Sequence, residues 1–226
     1  MTLMSRKAVI LVSGGIDSST TLAIAKQKDF SCYALTINYG QRHDIEIEYA
    51  KKICKAFNVE AHKVIDIDLT SIGGSALTDH AIQIPESHTS GIPVTYVPAR
   101  NTIMLSIALG WAEVIDADAI FLGANAVDYS GYPDCRPEYI KSFESMANLA
   151  TKRGLEGRKI SINAPLMDMT KAEIINLGES LNVDFSATVS CYQANSSGVA
   201  CGVCDSCRIR CDGFEKAGVQ DPTIYC

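Results

Sequence analysis

The chain has no apolar run of the length a membrane or a signal sequence requires. Near its start the longest is Ala8–Val12, against the ~7–15 residues of a signal h-region and the ~20 of a membrane span. It has no excess of positive charge. Lys and Arg number 20 against 26 Asp and Glu, for a formal charge of −6. That balance argues against a general nucleic-acid binder while leaving room for a local basic patch. Charge is also sparse, at 20% of residues with 47% hydrophobic, so neither disorder nor a coiled coil fits. Nine cysteines in 226 residues are too few, and odd in number, for a disulfide scaffold. Repeats and low-complexity segments are missing too. The expectation is a cytoplasmic enzyme with one α/β domain and a small appendage, large enough for a real core.

Hydrophobic patterning supplies the order of elements. Ala8–Val12 reads as a strand buried on both faces, Cys32–Ile37 and Ala61–Ile67 as two more. Between them lie a helix from about Ser18 to Lys28 and another on the stripe Ile45, Tyr49, Ile53, Phe57, ending near Asn58. Strand–helix–strand–helix–strand with short joins predicts a doubly wound parallel sheet with right-handed crossovers. The pattern lapses from Asp68 to Thr95, a stretch long enough to be a lid or an interface segment. It resumes with a helical stripe from Met104 to Ile115, a strand at Ala119–Leu122, a helix over Pro137–Lys152, an extended Lys159–Ile162 and a helix over Lys171–Leu181. The final 40 residues are cysteine-rich without a strong period. We divide the chain into an α/β domain, 1–185, and a small cysteine-rich tail packed on it, 186–226.

No Gly-Lys-Ser/Thr and no G-x-G-x-x-G occur, which removes the Walker loop and the dinucleotide fingerprint. Instead Ser13-Gly14-Gly15-Ile16-Asp17-Ser18-Ser19 joins the first strand to a helix. Two glycines let N–H groups converge, the helix N-terminus adds partial positive charge, and three serines offer hydroxyls: a phosphate cradle. An ordinary tight turn capped by Asp17 and Ser18 is the plainer alternative. The turn resembles that of the PP-loop (N-type) ATP pyrophosphatases, which adenylate a carbonyl oxygen and release pyrophosphate. The resemblance implies ATP contact along Val12-Ser13-Gly14-Gly15-Ile16-Asp17-Ser18-Ser19-Thr20-Thr21-Leu22.

Cys191, Cys201, Cys204 and Cys207 form C-x9-C-x2-C-x2-C, the spacing of a closed structural zinc site with four thiolates. The rival is an iron–sulfur cluster on Cys201, Cys204, Cys207 and Cys211, though Asp212 stands where that run carries Pro. Zinc is favoured, with Cys211 as packing. Cys32, Cys54, Cys135 and Cys226 receive no metal role, and His43, His62, His80 and His88 show no ligand spacing.

Three polar stretches belong at strand ends, where a parallel sheet gathers its ligand site: Asn38–His43, Pro98–Asn101 and Asn125–Asp134. With the Ser13 turn, Ala164–Glu173 and the cysteines, they make nearly the whole chain similar to the 7-cyano-7-deazaguanine synthase family. Asp128–Arg136 is the most specific piece. The resemblance implies that 7-carboxy-7-deazaguanine and ammonia become the nitrile through two rounds of ATP activation, on the route to queuosine. It also implies zinc on Cys191, Cys201, Cys204 and Cys207, Mg²⁺ with ATP, and a homodimer. Candidate catalytic residues are Asp17 (turn support or Mg²⁺), Lys171 and Arg100 (phosphate contacts). Candidate substrate contacts are Arg42, Asp128, Tyr132 and Asp134, with Asp128 or Asp134 accepting from the guanine-like edge. No nucleic-acid or membrane partner is expected. A PP-loop enzyme that thiolates tRNA or forms lysidine is the rival, opposed by the acidic balance. A regulatory zinc module is a second, and it would leave the phosphate turn without a purpose.

Overall fold

Alternation of side chains along the central strand sets the layers. In β1 (Lys7–Leu11), Val9 faces one side of the sheet and Ala8 and Ile10 the other, all fully buried. The computed structural model describes residues 5–42, 44–85, 91–128 and 131–226. Around β1 stand β2 (Ser31–Asn38), β3 (Ala61–Asp66), β4 (Ala119–Phe121) and β5 (Ser161–Asn163), all parallel, in the order β3-β2-β1-β4-β5. Helices α1 (Ile16–Gln27) and α2 (Ile45–Ala56) pack Leu22, Ala25, Ala50 and Ile53 against Ala8, Ile10, Cys32 and Ala34. On the other face, α3 (Arg100–Ile115) and α4 (Pro137–Ala150) pack Leu105, Ala108, Trp111, Ile140 and Phe143 around Val9, Leu35 and Ile120. The doubly wound expectation is met. The chain winds outward from β1 to β3 and then crosses to β4, which leaves the switch point between β1 and β4, where such sheets bind ligands.

A third cluster fixes the next layer. Ile16, Ala23 and Ile24 of α1 meet Ile174 and Ile175 of α6 (Lys171–Ser180), with Phe185 and Phe214. Phe214 belongs to α7 (Asp205–Ala217), a 13-residue helix within the stretch whose sequence shows no strong period. Its buried side includes Cys207, Arg210 and Phe214 at helical spacing, but cysteine and arginine do not register as an apolar stripe.

Two boundaries differ from the sequence reading. The helix expected over Pro137–Lys152 stops at Ala150, because Thr151 is extended (φ −115°, ψ 149°) and caps the short α5 (Lys152–Leu155) through the Gly154 N–H. Arg100 and Asn101 open α3 instead of lying in a loop, placed there by Ala99 in left-handed conformation (φ 54°, ψ 23°). The Asp68–Thr95 segment is anchored at Leu69, Ser75, Ala76, Leu77, Thr78, Ile84 and Thr95, which are buried, while Ile72 and Ile92 are exposed. His43, His88, Tyr129 and Ser130 lie outside the described residues.

Candidate active site

The Ser13 turn packs closely against α2. Gly14 sits at φ +85°, and a Cβ there would lie 2.5 Å from the Glu46 carbonyl oxygen, so α2 can press against the turn only because Gly14 has no side chain. Gly15 is the N-cap of α1 and makes no side-chain cap bond. The serines knit the turn together: the Ser13 N–H donates to Ser18 Oγ at 3.1 Å, and the Ser18 and Ser19 hydroxyls donate to the Gly15 carbonyl at 3.1 and 2.8 Å. Val189 donates its N–H to the Gly14 carbonyl, tying the turn to the segment that leads to Cys191. Val12, Ser13, Gly15, Ile16, Asp17 and Ser18 line a cleft of about 240 Å³ at the switch point. Ser19, Thr20, Thr21 and Leu22 are fully buried behind it and lie outside the lining.

Lys171 enters this cleft from the first residue of α6. A reciprocal cap between Thr170 and Glu173 fixes that helix start, and the lysine is 7% exposed. Its Nζ lies 2.6 Å from Asp17 Oδ1 and 3.1 Å from Asp128 Oδ2. Burial pushes the Asp128 carboxyl up from the ordinary carboxylate range, and the Lys171 charge opposes that push. Two carboxylates on either side hold the buried ammonium in position. Asn125, fully buried, braces the arrangement: its amide donates to the Leu166 and Met169 carbonyls, and its Oδ1 accepts the Asp128 N–H at 2.7 Å.

The polar loops converge as strand-end loops should. Tyr39, Gln41, Arg42, Arg100, Asn101, Asn125 and Tyr132 all line the same cleft. Arg100 donates to the Tyr39 hydroxyl at 3.3 Å with its guanidinium 5.6 Å from that ring, and it lies in the field of Tyr132 and Tyr192. Arg42 lines the cleft while its Nε donates to the Ala76 carbonyl (2.6 Å) and its Nη2 to those of Asp79 and Ile82. It thereby anchors the 68–85 segment and brings Leu77 to the cleft wall. Tyr132 shares a hydrogen bond with Thr95 Oγ1. The Asp134 carboxylate, 5% exposed, accepts the Asn101 N–H at 2.9 Å. Neither Asp128 nor Asp134 lines the cleft.

Among the described residues, Asp17 and Glu46 are the acidic side chains on the cleft wall. Glu46 escapes sequence reasoning because it alternates with apolar positions at the start of α2, like any solvated helix residue. Burial in the cleft pushes its carboxyl up to about 7, with Arg100 pulling the other way.

The cysteines gather as the spacing predicts. Sγ atoms of Cys191, Cys201, Cys204 and Cys207 lie within 4.8 Å of one another, and those of Cys201 and Cys207 are 4.0 Å apart. Four thiolates at ~2.3 Å from one tetrahedral ion are ~3.8 Å apart, so the set fits one metal. The N–H groups of Gln193 and Cys201 donate to Cys191 Sγ at 3.2 and 3.3 Å, which favours the thiolate. Cys211 is outside the set and interacts with the Tyr225 hydroxyl instead, so the ferredoxin-like alternative lacks its fourth ligand. Helix α7, capped by Cys204, also lines the cleft through Ser206, Ile209 and Arg210. Arg210, 1% exposed, bonds Asp221, Thr188 and the Phe185 carbonyl, locking the helix to the body.

A five-stranded parallel sheet with a glycine-serine turn at its switch point and a buried Lys–Asp pair against that turn defines the class: a doubly wound α/β fold of the PP-loop type. Among solved structures, the NMN synthetase from Francisella tularensis shares the fold at TM-score 0.50 and 18% identity, covering 96% of this chain and 74% of that one. The sequence profile described as "Queuosine biosynthesis protein QueC" matches residues 7–218. Proteins named 7-cyano-7-deazaguanine synthase from Saccharophagus degradans and Cellvibrio japonicus are each 63% identical over 223 residues, covering 99% and 98% of this chain and 99% of each relative. The chain belongs to the QueC family.

Proposed function

We propose that this chain converts 7-carboxy-7-deazaguanine and ammonia to 7-cyano-7-deazaguanine, using two ATP and releasing two AMP and two pyrophosphates. The observation that carries the reading is the single cleft joining the Ser13 turn and Lys171 to a pocket walled by Tyr39, Arg100 and Tyr132. The name its relatives bear supports it. In the first round the substrate carboxylate attacks the α-phosphate of ATP; amides around Gly14–Ser18 receive the departing pyrophosphate. Ammonia then displaces AMP and leaves an amide. In the second round the amide oxygen is adenylated with release of pyrophosphate and one N–H proton, and the remaining N–H proton is lost as AMP leaves and the nitrile forms. Lys171 neutralises charge growing on the transferred phosphate, and Asp17 holds its ammonium in place. Mg²⁺ would shield the triphosphate, with the other oxygen of Asp17 available to it.

Arg42, Tyr132 and Asp134 shape the substrate half of the cleft, Arg42 and Asp134 through the backbone groups they tie down, while Asp128, first expected there, acts through its pair with Lys171. Zinc is the metal assigned to the four cysteines, because a four-thiolate tetrahedron with no open position is its structural site. The reading further assigns residues 1–185 to catalysis, 186–226 to the metal tail, and the protein to the cytoplasm as a homodimer with no nucleic-acid partner. No helix among the described residues is long and apolar enough to cross a membrane.

Mass spectrometry of a reaction containing the protein, Mg-ATP, ammonium and the deazaguanine acid tests this. Nitrile with AMP is expected. Neither product, from folded and metal-loaded protein, defeats the proposal.

A further inference from the structure

The substrate reading needs an acceptor for the two adjacent donors of a guanine-like ring, N1–H and the 2-amino group. The two carboxylates that the sequence offered for this are engaged elsewhere: Asp134 accepts the Asn101 N–H, and Asp128 pairs with Lys171. Of the two acids on the cleft wall, Asp17 is held at 2.6 Å by the same lysine. Glu46 remains. Burial and the charge of Arg100 act on its carboxyl, and among the described residues no hydrogen bond does.

Its neighbours complete the pattern. Arg100, Tyr39 and Tyr132 line the cleft with Glu46, and Glu46 and Tyr39 feel each other's charge. A guanine-like edge runs donor, donor, acceptor. A carboxylate matches the two donors and a guanidinium matches the neighbouring ring carbonyl. Adenine presents an acceptor at N1 and a donor at N6, so the pair does not suit the base of ATP. Tyrosine rings give a flat ligand a flat wall.

Resting on the substrate reading above, we propose that Glu46 is the specificity-determining residue for the deazaguanine: its carboxylate accepts N1–H and the 2-amino group, and Arg100 donates to the ring carbonyl. The position of Glu46 follows from Gly14, since the close approach of α2 to the turn brings its first helical turn to the cleft.

Calorimetric titration of wild type and Glu46→Gln with 7-carboxy-7-deazaguanine, with its 2-deamino analogue and with ATP tests the assignment. The variant should bind the deazaguanine about 10–100-fold more weakly, the cost of losing a charged two-donor contact. Its affinity for ATP should be unchanged. Wild type should prefer the 2-amino compound to the analogue, and the variant should lose most of that preference. Equal weakening of both ligands, or weakening of ATP alone, overturns the assignment in favour of a nucleotide or fold role. Unchanged binding with a fall in kcat overturns it in favour of proton transfer. Wild type that turns over while the variant retains full preference defeats this inference and leaves the function standing. Wild type that binds no deazaguanine removes both.

Discussion

Lys171 Nζ and Asp17 Oδ1 lie 2.6 Å apart across 154 residues of sequence. The contact joins the start of α6 to the turn after β1, so Lys171 and the Ser13 turn are held against each other. Gly213 of α7 lies directly over the lysine stem, in a space a Cβ would fill. Lys171→Met keeps the stem and removes the charge. Substrate-dependent AMP release should fall ~10²–10³-fold, as when a transition-state charge partner is lost. An undiminished rate of AMP release would remove Lys171 from the chemistry.

The metal set predicts a contrast between two cysteines on one helix. Cys204→Ser should lower metal content from one per chain and reduce solubility and melting temperature together, because Cys204 is one of the four clustered thiols and stands at the start of α7, so loss of the ion would free that helix. Cys211→Ser should leave metal content unchanged, since Cys211 interacts with Tyr225. Elemental analysis of the two purified variants decides; metal loss in both would return Cys211 to the cluster.

Neighbouring glycines in the turn should differ sharply. At Gly14 an added Cβ meets the Glu46 carbonyl and the Ala50 N–H, both backbone, from a positive φ. Gly14→Ala should cost about 2–4 kcal/mol in denaturant titration, combining strain with a clash that cannot relax. At Gly15 the nearest atom is 3.5 Å away and φ is −89°, so Gly15→Ala should stay within about 1 kcal/mol. Similar losses at both would contradict the turn geometry.

Glu46 gives a stability profile with a definite sign. Burial pushes its carboxyl up to about 7 with Arg100 opposing, while Tyr39 and Tyr132 line the same cleft. A carboxyl raised on folding leaves stability intact below the ordinary carboxylate range and reduces it as pH climbs through about 7. Glu46→Gln should therefore be more stable than wild type at pH 8, by about 1–2 kcal/mol after allowance for solvent, a few degrees in Tm. At pH 4.5 the two should melt together. A pH-independent difference would show that Glu46 is not carrying this cost in the empty cleft.

The sheet was legible because strands buried on both faces leave continuous apolar runs. Ala8–Val12 and Cys32–Ile37 fall within a residue or two of β1 and β2. The Ser13 turn was legible because its chemistry is local, and the cysteines because their spacing is. Other features depend on contacts that no spacing records. Helix α7 hides because Arg210 fills a core position, neutralised by Asp221 from beyond the helix. Arg42 reads as a ligand contact, yet its donors reach three carbonyls between Ala76 and Ile82. Glu46 becomes distinctive only once α2 is seen against Gly14.

All four clustered cysteines follow every strand of the sheet, and the helix that begins among them covers Lys171. During synthesis the sheet and the phosphate turn can therefore assemble before the wall of the cleft exists. Residues 191–217 must emerge before Gly213 can lie over the lysine and Arg210 can secure the helix. A half-made chain therefore holds the Ser13 turn without the finished surroundings of Lys171, and the last stretch to be made is the one that completes the cleft wall.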